Sequence, residues 1–249
     1  RHLIAVASGG QFLRWKAEKP ARVLYIDGEM PATQMQERIR ALRPMFPDFA
    51  PENFSLITPD IQDCSLPDLG CLLGQAEITP WTDHADVIFV DNLSALVRSG
   101  VENEAESWTV VATWALRMRR EGRAVMFVHH AGKNGQQRGT SKREDLLDTS
   151  IVLTRPEDAQ NGAAFTWEWS KARGLHGNDL EPLQAELITN PRGNLSWTCR
   201  GAGDVRMDQV RQCLAAGLTT NQIAAELNVS RSVAGRYAKK ARETSHASQ

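Results

Sequence analysis

Three stretches of this chain place acids or imidazoles directly after runs of aliphatic and aromatic residues. Val23-Leu24-Tyr25-Ile26 runs into Asp27-Gly28-Glu29, Val87-Ile88-Phe89-Val90 into Asp91-Asn92, and Ala124-Val125-Met126-Phe127-Val128 into His129-His130. A glutamate can orient or deprotonate a water, an aspartate can hold Mg2+ through water, and a histidine can sense a phosphate or position a neighbour. Brought together, these are parts of nucleotide hydrolysis. The competing chemistry is a metallohydrolase using Glu29, Asp91 and His129 as direct ligands. It lacks the H-x-H or H-x-x-x-H spacing that would set two imidazoles on one metal.

The elements that must position these groups follow from the patterning. Uninterrupted apolar runs read as strands buried on both faces, and hence as a mainly parallel sheet. Ligands bind beyond the carboxyl ends of such strands, and right-handed crossovers put all three ends on one edge. His2 to Ala7, closed by Gly9-Gly10, reads as the end of a helix. Pro31-Ala32-Thr33 opens an amphipathic helix through Met35, Ile39 and Leu42, broken at Pro44. Phe54 to Thr58 is a further strand, and Pro59 to Asp83 a loop leading into a helix that packs on the sheet, with Leu69, Leu72 and Leu73 as its apolar residues. Ser94 to Ala105, with Glu102 and Glu104 and with Glu106 directly after it, is a polar connection with a solvated face. Trp108 to Arg120 is an amphipathic helix whose basic tail suits a C-terminus. Ile151–Leu153, Ala164–Trp169, Ala185–Ile188 and Leu195–Thr198 read as later strands, the last of them antiparallel across a turn at Pro191–Asn194.

Composition bounds the class. A chain of 249 residues with 41% hydrophobic and 24% charged residues and a net charge of -1 is ordinary for a globular protein and wrong for a disordered one. Cys64, Cys71, Cys199 and Cys213 form no C-x-x-C pair, so neither a zinc site nor a disulfide framework is indicated, and a cytoplasmic location is expected. No apolar run approaches the roughly 18 residues of a membrane span.

Five motifs in order, V-L-Y-I-D-G-E-M, V-I-F-V-D-N, F-V-H-H-A-G-K, Q-Q-R-G-T-S and S-K-A-R-G, resemble the RecA-fold ATPases of the AAA_25 or plasmid RepA type, related to DnaB-type hexameric replicative helicases. The resemblance covers residues 1 to about 189 and implies an α/β, RecA-like P-loop NTPase fold: three layers around a mainly parallel sheet, spanning residues 1–200. It implies ATP and Mg2+ as cofactors, with Asp91 as the Walker B aspartate that supports the metal and Glu29 as the catalytic glutamate. His129 or His130 takes the sensor position, and Asn92 and Arg138-Gly139 lie against the nucleotide. Lys171-Ala172-Arg173 resembles a K-x-R finger whose cations reach the γ-phosphate of ATP on an adjacent subunit of a homohexameric ring. Two solvated cations are the alternative there, and Arg143 is the rival finger. The basic, glycine-bearing loop around Asn134 to Arg143, with Lys133, Arg138, Lys142 and Arg143, resembles loops that track single-stranded DNA in a ring channel, a surface loop being the alternative.

One departure is large: these residues contain no G-x-x-x-x-G-K-[ST], the loop that cradles phosphates. The expectation is an N-terminally truncated ATPase, its P-loop strand absent and its motif just upstream of Arg1. Such a chain by itself would not hydrolyse ATP appreciably.

Gly201-Ala202-Gly203 reads as a linker to a second domain at residues 204–249. From Asp204 on, seven Lys and Arg face four Asp and Glu, net +3, while the preceding residues carry -4. Val210 and Leu214 mark one short helix, Thr219-Thr220-Asn221-Gln222 a capping box into the next, and Ser230 starts a third with Val233 and Tyr237 inward. This is a small all-α helix-turn-helix pattern, with Arg231, Ser232 and Arg236 nearest the bases of duplex DNA and Lys239 and Lys240 on phosphate. The expected function is an ATP-dependent DNA helicase or translocase of a mobile element's replication system. The alternative is a non-enzymatic DNA-binding regulator on a RecA-like scaffold.

Overall fold

The computed structural model describes residues 2–61, 66–99, 105–130, 145–156, 159, 163–189, 195–227 and 229–246. The chain divides into two compact units, Arg1–Leu147 and Asp148–Gln249.

The first unit runs α1 (His2–Ser8), a two-stranded hairpin of β1 (Gln11–Phe12) and β2 (Trp15–Lys16), β3 (Val23–Asp27), α2 (Ala32–Leu42), β4 (Phe54–Ile57), α3 (Leu72–Glu77), α4 (Thr79–Thr82), β5 (Val87–Asp91), α5 (Leu93–Leu96), α6 (Ala105–Arg120) and β6 (Ala124–Phe127). Its main sheet is parallel, in the order β4-β3-β5-β6. Side chains alternate across the sheet, so Leu24, Ile26, Ile88 and Val90 pack on one face with Trp114, Ala115 and Met118 of α6. Val23, Tyr25 and Phe89 pack on the other with Leu3 and Ala7 of α1 and Met35 of α2. Helices on both faces make the three layers expected of the sequence. They also explain the absence of polar alternation in β3, which is buried along its whole length.

Three readings of this unit are corrected. β6 is as apolar as β5 but lies at the sheet edge, so Ala124 and Met126 are exposed. The segment after Pro59 forms two short helices in which Leu69 and Ile78 are buried but Leu72 and Leu73 are 77% and 71% exposed. The cause is local: Cys71 caps α3, and Gly74 sits so close to the Asp68 backbone that a Cβ would lie 2.2 Å from its carbonyl oxygen, which turns Leu72 and Leu73 outward. The connection after Asn92 also contains α5, capped by the Asn92 side chain, which accepts from the Ala95 N–H at 3.1 Å.

At the opposite, amino-terminal end of the sheet, Arg22 and Asp86 tie β3 to β5. The Arg22 guanidinium donates to both Asp86 oxygens at 2.7 and 3.1 Å, and the Arg22 backbone N–H donates at 2.9 Å. The Arg22 side chain, then its backbone N–H, hold the Asp86 carboxyl down to about 2. A depressed carboxyl contributes stability that is complete above its unfolded value near 4 and is lost as pH falls through its folded value. Asp86→Asn is therefore expected to be less stable than the wild type at neutral pH. Urea midpoints of the two should draw together between about pH 4 and pH 2; a constant gap across that window would show that the pair adds no charge-dependent stability.

The second unit holds β7 (Thr149–Thr154), β8 (Ala164–Ala172), β9 (Leu183–Thr189), β10 (Leu195–Gly201) and helices α7 (Ala202–Ala215), α8 (Thr220–Glu226) and α9 (Arg231–His246). The strands form an antiparallel sheet in the order β10-β9-β8-β7. There is no linker at Gly201–Gly203: β10 pairs with β9 through Gly201, and α7 begins at the next residue. The Ala202 N–H donates to Pro182 O at 2.8 Å, and Asp208 of α7 pairs with Arg200 of β10, so the glycines serve a tight strand-to-helix turn. The unit boundary accordingly falls at 147/148 and the antiparallel sheet shares a unit with the three helices, where composition had suggested a break at 200–204.

The helices close on Met207, Val210, Ile223, Ala234, Ala238 and Ala241. Thr219 and Gln222 form the reciprocal capping box read from the sequence. The inward residues of α9 are chiefly alanines, with Tyr237 half-buried against them; Val233 is outside that cluster. Among the described residues no helix is long and apolar enough to cross a membrane.

Candidate active site

From β3 the chain moves outward to β4 and then returns past β3 to β5, so the sheet reverses its winding between β3 and β5. At such a switch point the loops leave the strand ends in opposite directions and open a crevice. Asp27 and Asp91 are register partners there. The three strand ends singled out from sequence are thus neighbours in space, β3 beside β5 and β5 beside β6.

Asp27 is the organiser on the β3 side. Only 2% exposed, it accepts the Glu29 and Met30 backbone N–H groups on Oδ1 at 2.8 and 2.6 Å. That turn fixes the Glu29 backbone, and the Glu29 side chain projects with 60% of its surface exposed. Gly28, between them, donates its N–H to Asp91 O at 2.7 Å. A Cβ on Gly28 would lie 2.5 Å from Ala95 Cβ, so the turn after β3 passes α5 too closely here for any side chain.

On the β5 side the Asp91–Asn92 peptide is cis. The Tyr25 hydroxyl lies 2.8 Å from Asp91 Oδ2 and 3.1 Å from Asp27 Oδ2. Burial raises the Asp91 carboxyl above its usual range; Tyr25 opposes this, while Asp27 and Glu29 add to it. Burial likewise raises the Tyr25 phenol, and its contact with Asp91 adds to the effect.

The Asn92 amide oxygen is committed to Ala95, so its Nδ2 donates to His130 Nε2 at 3.1 Å. His130 Nε2 therefore accepts that hydrogen bond. The same Nε2 is 4.0 Å from Glu29 Oε2. Of the two candidate histidines it is thus His130 that meets Glu29 and Asn92; His129 is half-buried. The site unites Asp27, Glu29, Asp91, Asn92 and His130.

Residues 2–136, a segment that includes the parallel sheet and the residues of this crevice, match AAA_25, an AAA domain. The chain belongs to the AAA_25 family. AAA_25 proteins are RecA-like ATPases, a group that generally uses ATP and Mg2+. Among solved structures, the chain is similar to the flagellar accessory protein FlaH from Methanocaldococcus jannaschii at 14% identity, covering 72% of this chain and 76% of that one with a TM-score of 0.48. No curated protein matches it.

The residues of this AAA_25 site fit a divalent cation that brings its own phosphate ligands. Asp91 is crowded by Asp27 and Glu29, a repulsion that a cation relieves. Among the described residues no group of three or more His, Cys, Asp or Glu side chains is placed to hold a metal by protein ligands alone, so the arrangement that a metallohydrolase needs is not found there. Bound Mg2+ would neutralise charge on the phosphates. The chain's own groups would then support the metal (Asp91), offer a carboxylate to water (Glu29) and present an imidazole to a phosphate (His130).

The other expected site residues belong to the second unit or fall outside the described residues. Lys171 is in β8, opposite Ser150. Arg173 follows the strand, where its N–H donates to Asp148 O at 2.8 Å and its guanidinium stands 4.0 Å from the Asp148 carboxylate. Arg231, Ser232, Arg236, Lys239 and Lys240 are exposed along α9, and Ser232 Oγ lies 2.9 Å from Ser230 Oγ. Lys133, Arg138, Gly139, Lys142 and Arg143 are outside the described residues, as are Glu102, Glu104 and the turn at Pro191–Asn194. Sequence reading missed the roles of Tyr25 and Asp27. The signal available was their i, i+2 spacing, which puts both on the face that Asp91 shares.

Proposed function

We propose that this chain is the ATPase core of a RepA-type, DnaB-related ring protein that hydrolyses ATP at subunit interfaces and acts on DNA as a helicase or translocase. The observation that carries the reading is the meeting of Glu29, Asp91, Asn92 and His130 at the switch point of the parallel sheet. Water-activating, metal-supporting and sensing groups at one crevice suit phosphoryl transfer, where positioning and charge stabilisation supply most of the catalysis. The reading requires a phosphate loop from outside these 249 residues, since they hold no G-x-x-x-x-G-K-[ST]. Lys171 and Arg173 are assigned as the finger supplied to a neighbouring subunit in a homohexamer. The test is ATP turnover by the full-length protein with and without single-stranded DNA. Stimulation by DNA supports a DNA motor, and turnover indifferent to DNA overturns that part of the reading.

The second unit favours binding to DNA in its own right, whatever the state of the ATPase. We assign α7–α9 as a helix-turn-helix whose third helix enters the major groove of duplex DNA, on the support of its exposed row Arg231, Arg236, Lys239 and Lys240 and the buried alanine face opposite. A non-enzymatic DNA-binding regulator shares this feature and remains the second reading. Replacing Lys239 and Lys240 by Ala is expected to weaken duplex binding evenly across sequences and to reduce the slope of log K against log salt by about 1 for each phosphate no longer neutralised. Arg231→Ala and Arg236→Ala should also relax base preference. An unchanged affinity and slope in all four variants would remove the assignment.

A further inference from the structure

The nucleotide reading leaves Tyr25 without a task, although its hydroxyl reaches both carboxylates, Asp27 and Asp91, at the paired strand ends of the site. We propose that Tyr25 is a positioning residue for Asp91: its hydroxyl donates to Asp91 Oδ2 and fixes that carboxylate for the divalent cation. The proposal rests on the reading of Asp91 as the acid that supports Mg2+.

Three observations carry it. First, a phenol has one proton and faces two carboxylates, at 2.8 Å on Asp91 and 3.1 Å on Asp27, so one of them receives the hydrogen bond. The shorter distance is to Asp91, while Asp27 already takes two backbone N–H groups on its other oxygen. Second, the donor cannot swing away. The Tyr25 ring is 9% exposed and packs edge-on against Phe89 at 5.4 Å and Phe54 at 6.4 Å. Third, the register is suited to the task. Asp27 pairs with Asp91, and Tyr25 lies two residues earlier on the same face of β3, so a side chain as long as tyrosine spans from one strand to the end of the next. The rigid ring thus decides where the Asp91 carboxylate points, in place of its own rotamer freedom.

Binding of Mn2+ by the full-length protein with a non-hydrolysable ATP analogue, followed by electron paramagnetic resonance, reads this without turnover. Tyr25→Phe keeps the ring and its packing, and should weaken Mn2+ about tenfold with the thermal midpoint retained, as expected when one hydrogen bond to a charged group is removed. Asp86→Asn, which loosens the same two strands at their opposite end and touches neither carboxylate of the site, should stay within about twofold of wild type. Asp91→Asn should lose Mn2+ almost entirely. Wild-type affinity in Tyr25→Phe alongside a loss in Asp91→Asn overturns the positioning role and leaves that of Asp91 standing. Equal losses in Tyr25→Phe and Asp86→Asn overturn it too, since they would report general loosening. Wild-type affinity in Asp91→Asn, or no Mn2+ taken up by the wild type, defeats the nucleotide reading and the proposal with it.

Discussion

Glu29→Gln in the full-length protein is expected to lower ATP turnover by about 10²- to 10³-fold while leaving nucleotide affinity nearly unchanged, the usual cost of losing a positioned general base. The substitution keeps the shape of the side chain and removes only its ability to take a proton. It should fold normally, because the side chain is 60% exposed and the backbone position is held by Asp27, not by the Glu29 carboxylate. That separation makes the measurement clean: a change in kcat without a change in KM or in thermal midpoint assigns Glu29 to the chemical step. A Glu29→Gln protein with wild-type turnover would remove the catalytic assignment, and the second reading of the chain as a regulator would gain accordingly. His130 offers an internal check. It sits 4.0 Å from Glu29 and takes its hydrogen bond from Asn92, so His130→Ala should reduce turnover without abolishing it.

Much of this site was legible in the sequence because a doubly covered parallel strand has few ways to be written. Val23–Ile26 and Val87–Val90 are apolar without alternation, which points to burial on both faces, and an acid after such a run falls at the carboxyl edge where ligands bind. The three-layer fold and the meeting of Glu29, Asp91 and a histidine follow from that. What was not legible depends on neighbours. β6 reads like β5 residue by residue, and its exposure comes only from lying at the edge. Leu72 and Leu73 look like core leucines, but the close approach of Gly74 to Asp68 turns them outward. The glycines at 201 and 203 suggest a linker, yet strand pairing continues to the first of them and a helix starts beside it. The choice between His129 and His130 waited on Asn92, whose oxygen is claimed by a helix cap and whose amide therefore has a direction.

Asp27→Ala is expected to destabilise the first unit by about 3 kcal/mol, although Asp27 itself faces neither water nor, if Asp91 supports the metal, substrate. Its carboxylate is 2% exposed and answers two backbone N–H groups, those of Glu29 and Met30, through one oxygen. Alanine offers those donors nothing, and each buried donor left unsatisfied costs about 1–3 kcal/mol, reduced where water can enter the crevice. Asp27→Asn separates this effect from the charge, because the amide oxygen still accepts both N–H groups; it should cost less than about 1 kcal/mol. Urea unfolding of the three proteins tests the size, and amide exchange at Glu29 and Met30 tests the cause. Those two amides should lose protection in Asp27→Ala and keep it in Asp27→Asn. An Asp27→Ala protein within about 0.5 kcal/mol of wild type would mean that the turn holds itself. In that case the placement of Glu29 would derive from the close passage of Gly28 over Ala95, with Asp27 left as a partner for Tyr25 alone.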